Sequence, residues 1–160
     1  MIRLARKVAA QWGFRQAMAG WNPPIPSWVF SRFGFKEAFA PSDSDQETFQ
    51  LAKESVNIML PKLQDLLFRR IGDRYFMNAS QRKTEVFYFF APRAPIDTFS
   101  VHLAVRGGRV LLNIGYVPYT LDTNRPDFSK SVEVKGMATD PELAGLSLMR
   151  LCRKILSQIA

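Results

Sequence analysis

Gly107-Gly108 constrains this chain more than any other pair of residues. Two consecutive glycines accept the positive φ angles that a two-residue hairpin turn demands. Folding the chain there pairs Val105 with Val110, Leu103 with Leu112, Val101 with Ile114 and Phe99 with Tyr116. All four pairs are apolar and share one face, because successive residues of a strand alternate sides. The other face pairs Arg106 with Arg109, Ala104 with Leu111, His102 with Asn113 and Ser100 with Gly115. A slip of one residue would scramble this sorting, so the register over Thr98–Val117 is well specified. A lone hairpin is marginal in water, so this one needs further strands and a cover for its apolar face.

The flanking sequence supplies both. Thr84 to Phe90 contains Val86, Phe87, Tyr88, Phe89 and Phe90, apolar on both faces, and reads as a central strand closed by Pro92 and Pro95. Pro118 to Lys130 reads as a loop, and Ser131–Lys135 as a short strand. Ahead of the strands, Ser42-Asp43-Ser44-Asp45-Gln46-Glu47 opens a helix, with Ser44 and Glu47 at capping-box spacing. Phe49, Ala52, Val56, Met59, Leu63, Leu67 and Ile71 follow at three- and four-residue steps, a stripe that faces a core. Pro61 is expected to kink this helix or to begin a second one, and Gly72 to end it. Asp140-Pro141-Glu142 starts the last helix, whose buried stripe is Leu148, Leu151, Cys152, Ile155 and Ile159.

The predicted fold class is therefore α+β: a small antiparallel meander of three to four strands with helices packed on one face, preceded by an extended N-terminal arm. Residues 1–40 form the arm and residues 41–160 a single α+β domain, the only break in composition falling near residue 40.

Charge separates the two parts. The chain has 22 Lys+Arg and 14 Asp+Glu, a net of +8, yet no acid precedes Glu37. The first 36 residues hold Arg3, Arg6, Lys7, Arg15, Arg32 and Lys36, which leaves the remaining 124 residues at a net of only +2. On a helical wheel of residues 2–12, Arg3, Arg6 and Lys7 fall within about 100° of arc, and Ile2, Leu4, Ala5, Val8, Ala9 and Trp12 fill the opposite side. An Arg-rich, acid-free amphipathic N-terminus is the composition of a mitochondrial address. A helix on an anionic membrane surface and an ordinary solvated basic helix are the alternatives. With Met1 at its head, the expectation is of an address kept and reused for docking.

Behind it, the run from Trp21 to Trp28 carries Pro23, Pro24 and Pro26 and is expected to be extended rather than helix or central strand. From Trp12 to Phe39, eight of 28 residues are aromatic. An extended segment cannot bury so many rings against itself. Large aromatics are enriched where interfaces are buried, so they are expected to seat on a neighbouring subunit, the chain's own body being the alternative. Arg3, Arg6, Lys7, Trp12, Trp21, Trp28, Phe30, Phe33 and Phe35 are the expected partner contacts. Arg32 to Phe39 has the aromatic spacing of an RNA-recognition strand, but it lacks the glycine after the basic residue and holds Lys36 where an apolar residue belongs.

Signals for chemistry are few. His102 is the only histidine and Cys152 the only cysteine, so a two-histidine metal site and an intramolecular disulfide are both excluded, and a reducing compartment fits. His102 is expected to be structural or solvated, and Cys152 to be a buried thiol. Asp43, Asp45 and Glu47 lack the glycine and the distal glutamate of a calcium loop, and helix capping accounts for them. The sequon Asn78-Ala79-Ser80 stands without a secretory signal and is taken as accidental. Arg106 and Arg109 oppose each other across the tight turn and are the candidate contact for an anion. No cofactor and no metal are called for. The longest unbroken apolar run, Val86 to Ala91, is six residues, against about 20 for a spanning helix.

These features point to a non-enzymatic accessory subunit of a large mitochondrial inner-membrane complex, of the respiratory chain or ATP synthase. It would be peripheral on the matrix side and held by other subunits through its arm. The alternative is a mitochondrial ribosomal or other RNA-associated protein, since basic arms suit a polyanion. An enzyme or small-molecule binder would have to draw on His102, Asn113, Tyr116 and the hairpin arginines.

Overall fold

The computed structural model describes residues 25, 27–33, 42–71, 75–92, 98–120 and 125–159. The elements are helix α1 (Ser27–Phe33), helix α2 (Asp43–Ile71), strands β1 (Tyr75–Arg82), β2 (Glu85–Pro92), β3 (Thr98–Arg106), β4 (Arg109–Val117), β5 (Tyr119–Thr120), β6 (Arg125–Pro126) and β7 (Val132–Ala138), and helix α3 (Ala144–Gln158). Five strands form one antiparallel sheet in the order β1-β2-β3-β4-β7, so the class is α+β with one strand more than expected. β5 and β6 make a separate two-stranded ladder.

The central hairpin has the register read from its turn, from Arg106↔Arg109 at the tip through Phe99↔Tyr116. Gly107 and Gly108 both adopt positive φ, +56° and +75°. The additional strand is β1, which pairs with β2 across the turn Lys83-Thr84. Lys83 adopts a φ of +39°, an uncommon angle for a residue with a Cβ. That turn carries no glycine, and residues 78–82 (Asn-Ala-Ser-Gln-Arg) are polar or small, so neither hairpin nor strand is signalled locally. The sequon lies inside this paired strand.

The core lies under one face of the sheet. Val86, Tyr88 and Phe90 from β2, Phe99, Val101, Leu103 and Val105 from β3, and Val110, Leu112, Ile114 and Tyr116 from β4 pack there. Helix α2 brings Phe49, Ala52, Val56, Leu60, Leu63 and Leu67, and α3 brings Ala144, Leu148, Met149, Cys152 and Ile155. Pro61 lies within α2, which continues as one 29-residue helix rather than starting again. A proline inside a helix costs about 3 kcal/mol, while each large apolar side chain buried returns about 1.5–3 kcal/mol. Leu60 before the proline and Leu63 and Leu67 after it are all buried in the same core, while Pro61 itself is exposed, so packing outweighs the break.

The helix begins two residues earlier than the capping box implied. Ser42 Oγ accepts the N–H of Asp45 at 3.2 Å, the N-cap arrangement. At the other end of the domain, Asp140 caps as expected, accepting the N–H of Glu142 at 2.9 Å ahead of a short 3-10 turn over Pro141–Leu143. The two core helices touch at Gly145, whose N–H donates to Ser55 Oγ at 2.9 Å, while that hydroxyl donates to the Glu142 carbonyl at 2.8 Å. A Cβ on Gly145 would overlap the Ser55 carbonyl.

Helix α1 lies on the opposite face of the sheet, against Phe87, Phe89 and Val117. Helices therefore flank both faces, not one. The expectation of an extended path through Trp28 is corrected at the same point: Ser27–Phe33 is helical. The prolines fix φ only at their own positions, and a helix can start behind them. Among the described residues no helix is long and apolar enough to cross a membrane.

Candidate functional site

Two places gather the polar groups that the sequence singled out: the hairpin tip and the sheet face beneath α1. At the tip, the positive φ angles of Gly107 and Gly108 turn both N–H groups to one side, a concavity suited to an anion. A carboxylate fills it. Asp45 Oδ1 accepts the N–H of Gly108 at 2.8 Å, and Oδ2 that of Gly107 at 3.2 Å. Asp45 is buried at 4% exposure, so its role is to fasten the start of α2 to the turn. Arg106 turns away to Glu85, with Nη2 3.6 Å from Oε2, and Arg109 is exposed. The anion brought to this tip is thus the chain's own carboxylate, and it sits on backbone N–H groups rather than between the two guanidinium groups.

The second face carries a row that runs Phe87, His102, Asn113 and Lys135 across β2, β3, β4 and β7. His102 is fully buried and stacks on Phe87, ring centroids 3.9 Å apart and planes 6° from parallel. Its Nε2 lies 3.4 Å from Glu85 Oε2. Burial pulls the imidazole pKa below its usual value, against the opposing pull of Glu85. The hydrogen bond with His102, joined by the charge of Arg106, holds the Glu85 carboxyl below the usual carboxylate range. The expected pairing of His102 with Asn113 is present, but the partner that matters electrostatically is Glu85, diagonal across the neighbouring strand.

Asn113 Nδ2 donates to Glu133 Oε1 at 2.6 Å and to the Phe33 carbonyl at 3.3 Å. Among the described residues, Asn113 Oδ1 and Ser100 Oγ are buried with no hydrogen-bond partner. Each such orphan costs about 1–3 kcal/mol.

Over this row sits α1. Val29 and Phe33 are buried, and Trp28 meets Phe33, Phe89 and Phe128 edge-on at 6.4, 6.3 and 5.3 Å between centroids. The Phe33 ring lies directly over Gly115, so closely that a Cβ there would overlap it. Arg32 Nη2 donates to the Phe128 carbonyl at 3.2 Å and to Ser131 Oγ at 2.7 Å, with its guanidinium 5.3 Å from the Phe128 ring centre. Trp28 and Phe33, expected to seat on a neighbouring subunit, lie instead on this chain's own sheet. Phe87, Phe89 and Val117 give that sheet a second apolar face, and the nearest segment able to cover it is the arm itself. Phe30 belongs to α1. Arg3, Arg6, Lys7, Trp12, Trp21 and Phe35 lie outside the described residues, as does the expected helix over 2–12.

Neither of the two reactive side chains is presented for chemistry. The Cys152 thiol is buried, and burial pushes its pKa up to about 12. Among the described residues no three His, Cys, Asp or Glu side chains converge so as to hold a metal ion. The sequence reading missed Asp45 and Glu85 as the working carboxylates. A signal existed for the first, since two positive-φ N–H groups in a row call for an acceptor. None existed for Glu85, which is one polar residue at a strand end. Comparison with protein-family models, with curated proteins and with solved structures found no match for this chain.

Proposed function

We propose that this chain is a non-catalytic accessory subunit of a large mitochondrial assembly, docked on the matrix side of an inner-membrane complex of the respiratory chain or ATP synthase. The observation that carries the reading is the division of charge and rings along the chain. Six basic and no acidic residues precede Glu37, and a body of net +2 follows. The burial of His102 and Cys152 supports a packing role over a catalytic one. Among the described residues of the arm, α1 closes the second sheet face. Contacts with neighbours are assigned to Arg3, Arg6, Lys7, Trp12 and Trp21.

The test is fractionation of the native cell, followed by native gel separation of detergent-solubilised inner membranes. The expected result is co-migration with one respiratory or ATP synthase complex and release from the membrane by alkaline carbonate. Recovery outside mitochondria, or at the size of a free monomer, would sink the reading. The basic arm equally favours an RNA-associated role. RNase treatment of the mitochondrial lysate separates the two, because a shift in sedimentation would assign the chain to a ribonucleoprotein.

A further inference from the structure

We propose that α1 is an acid-released cover of the second sheet face, with His102 as the group whose protonation opens it. Three observations combine. First, the cover is short. Val29 and Phe33 are buried and Trp28 meets three rings edge-on, but the helix has seven residues, and isolated helices shorter than about 12–15 residues are marginal in water. Second, Asn113 Oδ1 and Ser100 Oγ are buried on this face without hydrogen-bond partners among the described residues, and opening would give them access to water. Third, the chain's one histidine is buried on the same face, at 0% exposure, with the Phe33 carbonyl at the end of α1 against it.

The charged groups around His102 set the direction. From β2 comes Glu85, whose Oε2 is approached both by His102 Nε2 and by Nη2 of Arg106, farther along β3. Arg82 adds a weaker positive influence on Glu85. From β4 comes neutral Asn113, tied to Glu133 of β7, which in turn lies 3.5 Å from Lys135. From α1 comes the Phe33 carbonyl, while Arg32 is engaged with Phe128 and Ser131. Burial dominates, so the closed form disfavours imidazolium. A histidine depressed in the closed form and ordinary in the open form takes up a proton on opening. Closure is therefore fullest above the ordinary value of 6.5 and is lost as pH falls below it. Glu85 is held low by His102, Arg106 and Arg82, all on the sheet, so its charge stays beside His102 whether α1 is closed or open.

Hydrogen exchange of the full chain, read as protection factors between pH 7.5 and 5, tests this. Protection of the α1 amides is expected to fall by up to about tenfold per pH unit below 6.5, the limit for one proton, while α2 amides hold. In His102→Phe, which keeps an aromatic ring on Phe87, the profile should be flat. Unchanged protection in the wild type, the same fall in the variant, or a fall shared by α2 would each overturn the proposal. If the variant does not fold, the imidazole carbon shift of wild-type His102 decides. Titration below 6.5 in step with loss of α1 protection supports the cover, and titration at or above 6.5 with α1 still protected overturns it.

Discussion

Both faces of the three central strands are buried, but by different means. The core face is covered by 29- and 15-residue helices whose apolar stripes meet alternate residues of β2, β3 and β4. Among the described residues, the second face is covered by the seven-residue helix α1, over a row that mixes Phe87 and Phe89 with His102, Asn113 and Ser100. Asn113 Oδ1 and Ser100 Oγ on this face are buried without hydrogen-bond partners among the described residues. The central strands are thus dry on both sides, under two long helices on one side and, among the described residues, a seven-residue helix on the other. That short helix belongs to the part of the chain that carries most of the positive charge.

The same substitution on the two faces should expose this difference. Phe99→Ala, on the core face, is expected to cost about 3–5 kcal/mol in denaturant unfolding. Phe33→Ala should cost no more than about 2 kcal/mol, because the cover can detach while the core stands. Equal losses would break the comparison. Next in size is Gly145→Ala, where the new methyl meets the backbone carbonyl of Ser55 and neither helix can retreat cheaply. A loss of about 1–3 kcal/mol is expected, read as a lower melting temperature. Gly115→Ala meets the Phe33 ring instead. Its effect should be smaller, about 0.5–2 kcal/mol, and confined to faster exchange in α1 with α2 unaltered. The smallest effect tests the tightness of the core face. Burial raises the Cys152 thiol, so the folded chain resists its ionisation, and this contribution to stability is lost as pH climbs from 9.0 towards about 12. At pH 8 an aromatic disulfide reagent should modify Cys152 no faster than the chain unfolds. Immediate labelling would place a gap in the core face.

What could be read from sequence follows from how local each feature is. The register of β3 and β4 is set by two adjacent glycines and by alternation on either side, all within 20 residues, and it was legible pair by pair. The last helix was legible for the same reason, its cap and proline being contiguous. β1 was not, because its turn uses Lys83 at positive φ where a glycine would have announced it. Of the two expectations at Pro61, a kink or a second helix, the second helix is excluded, because α2 runs through the proline with Leu63 and Leu67 packed beyond it. The site was less legible than the fold. Asp45 reaches a turn 62 residues away, and Glu85 meets His102 across a strand boundary. Single polar residues carry no periodicity, so nothing in the pattern marks them. The cover was missed because the prolines before α1 suggested extended chain, although the apolar second face of β2 had already called for something to lie on it.

The link from Asp45 to Gly107 and Gly108 also bears on the order in which the chain assembles. A hairpin closed by two glycines forms locally and early, whereas α2 gains its place only when it finds the sheet. Asp45 is where those two timetables meet, one carboxylate joining a helix start to the first turn able to fold. Its removal should slow refolding more than it hastens unfolding, the mark of a contact already made at the barrier. In a chevron of Asp45→Ala, movement of the unfolding limb alone would assign the contact to the last stage of assembly instead.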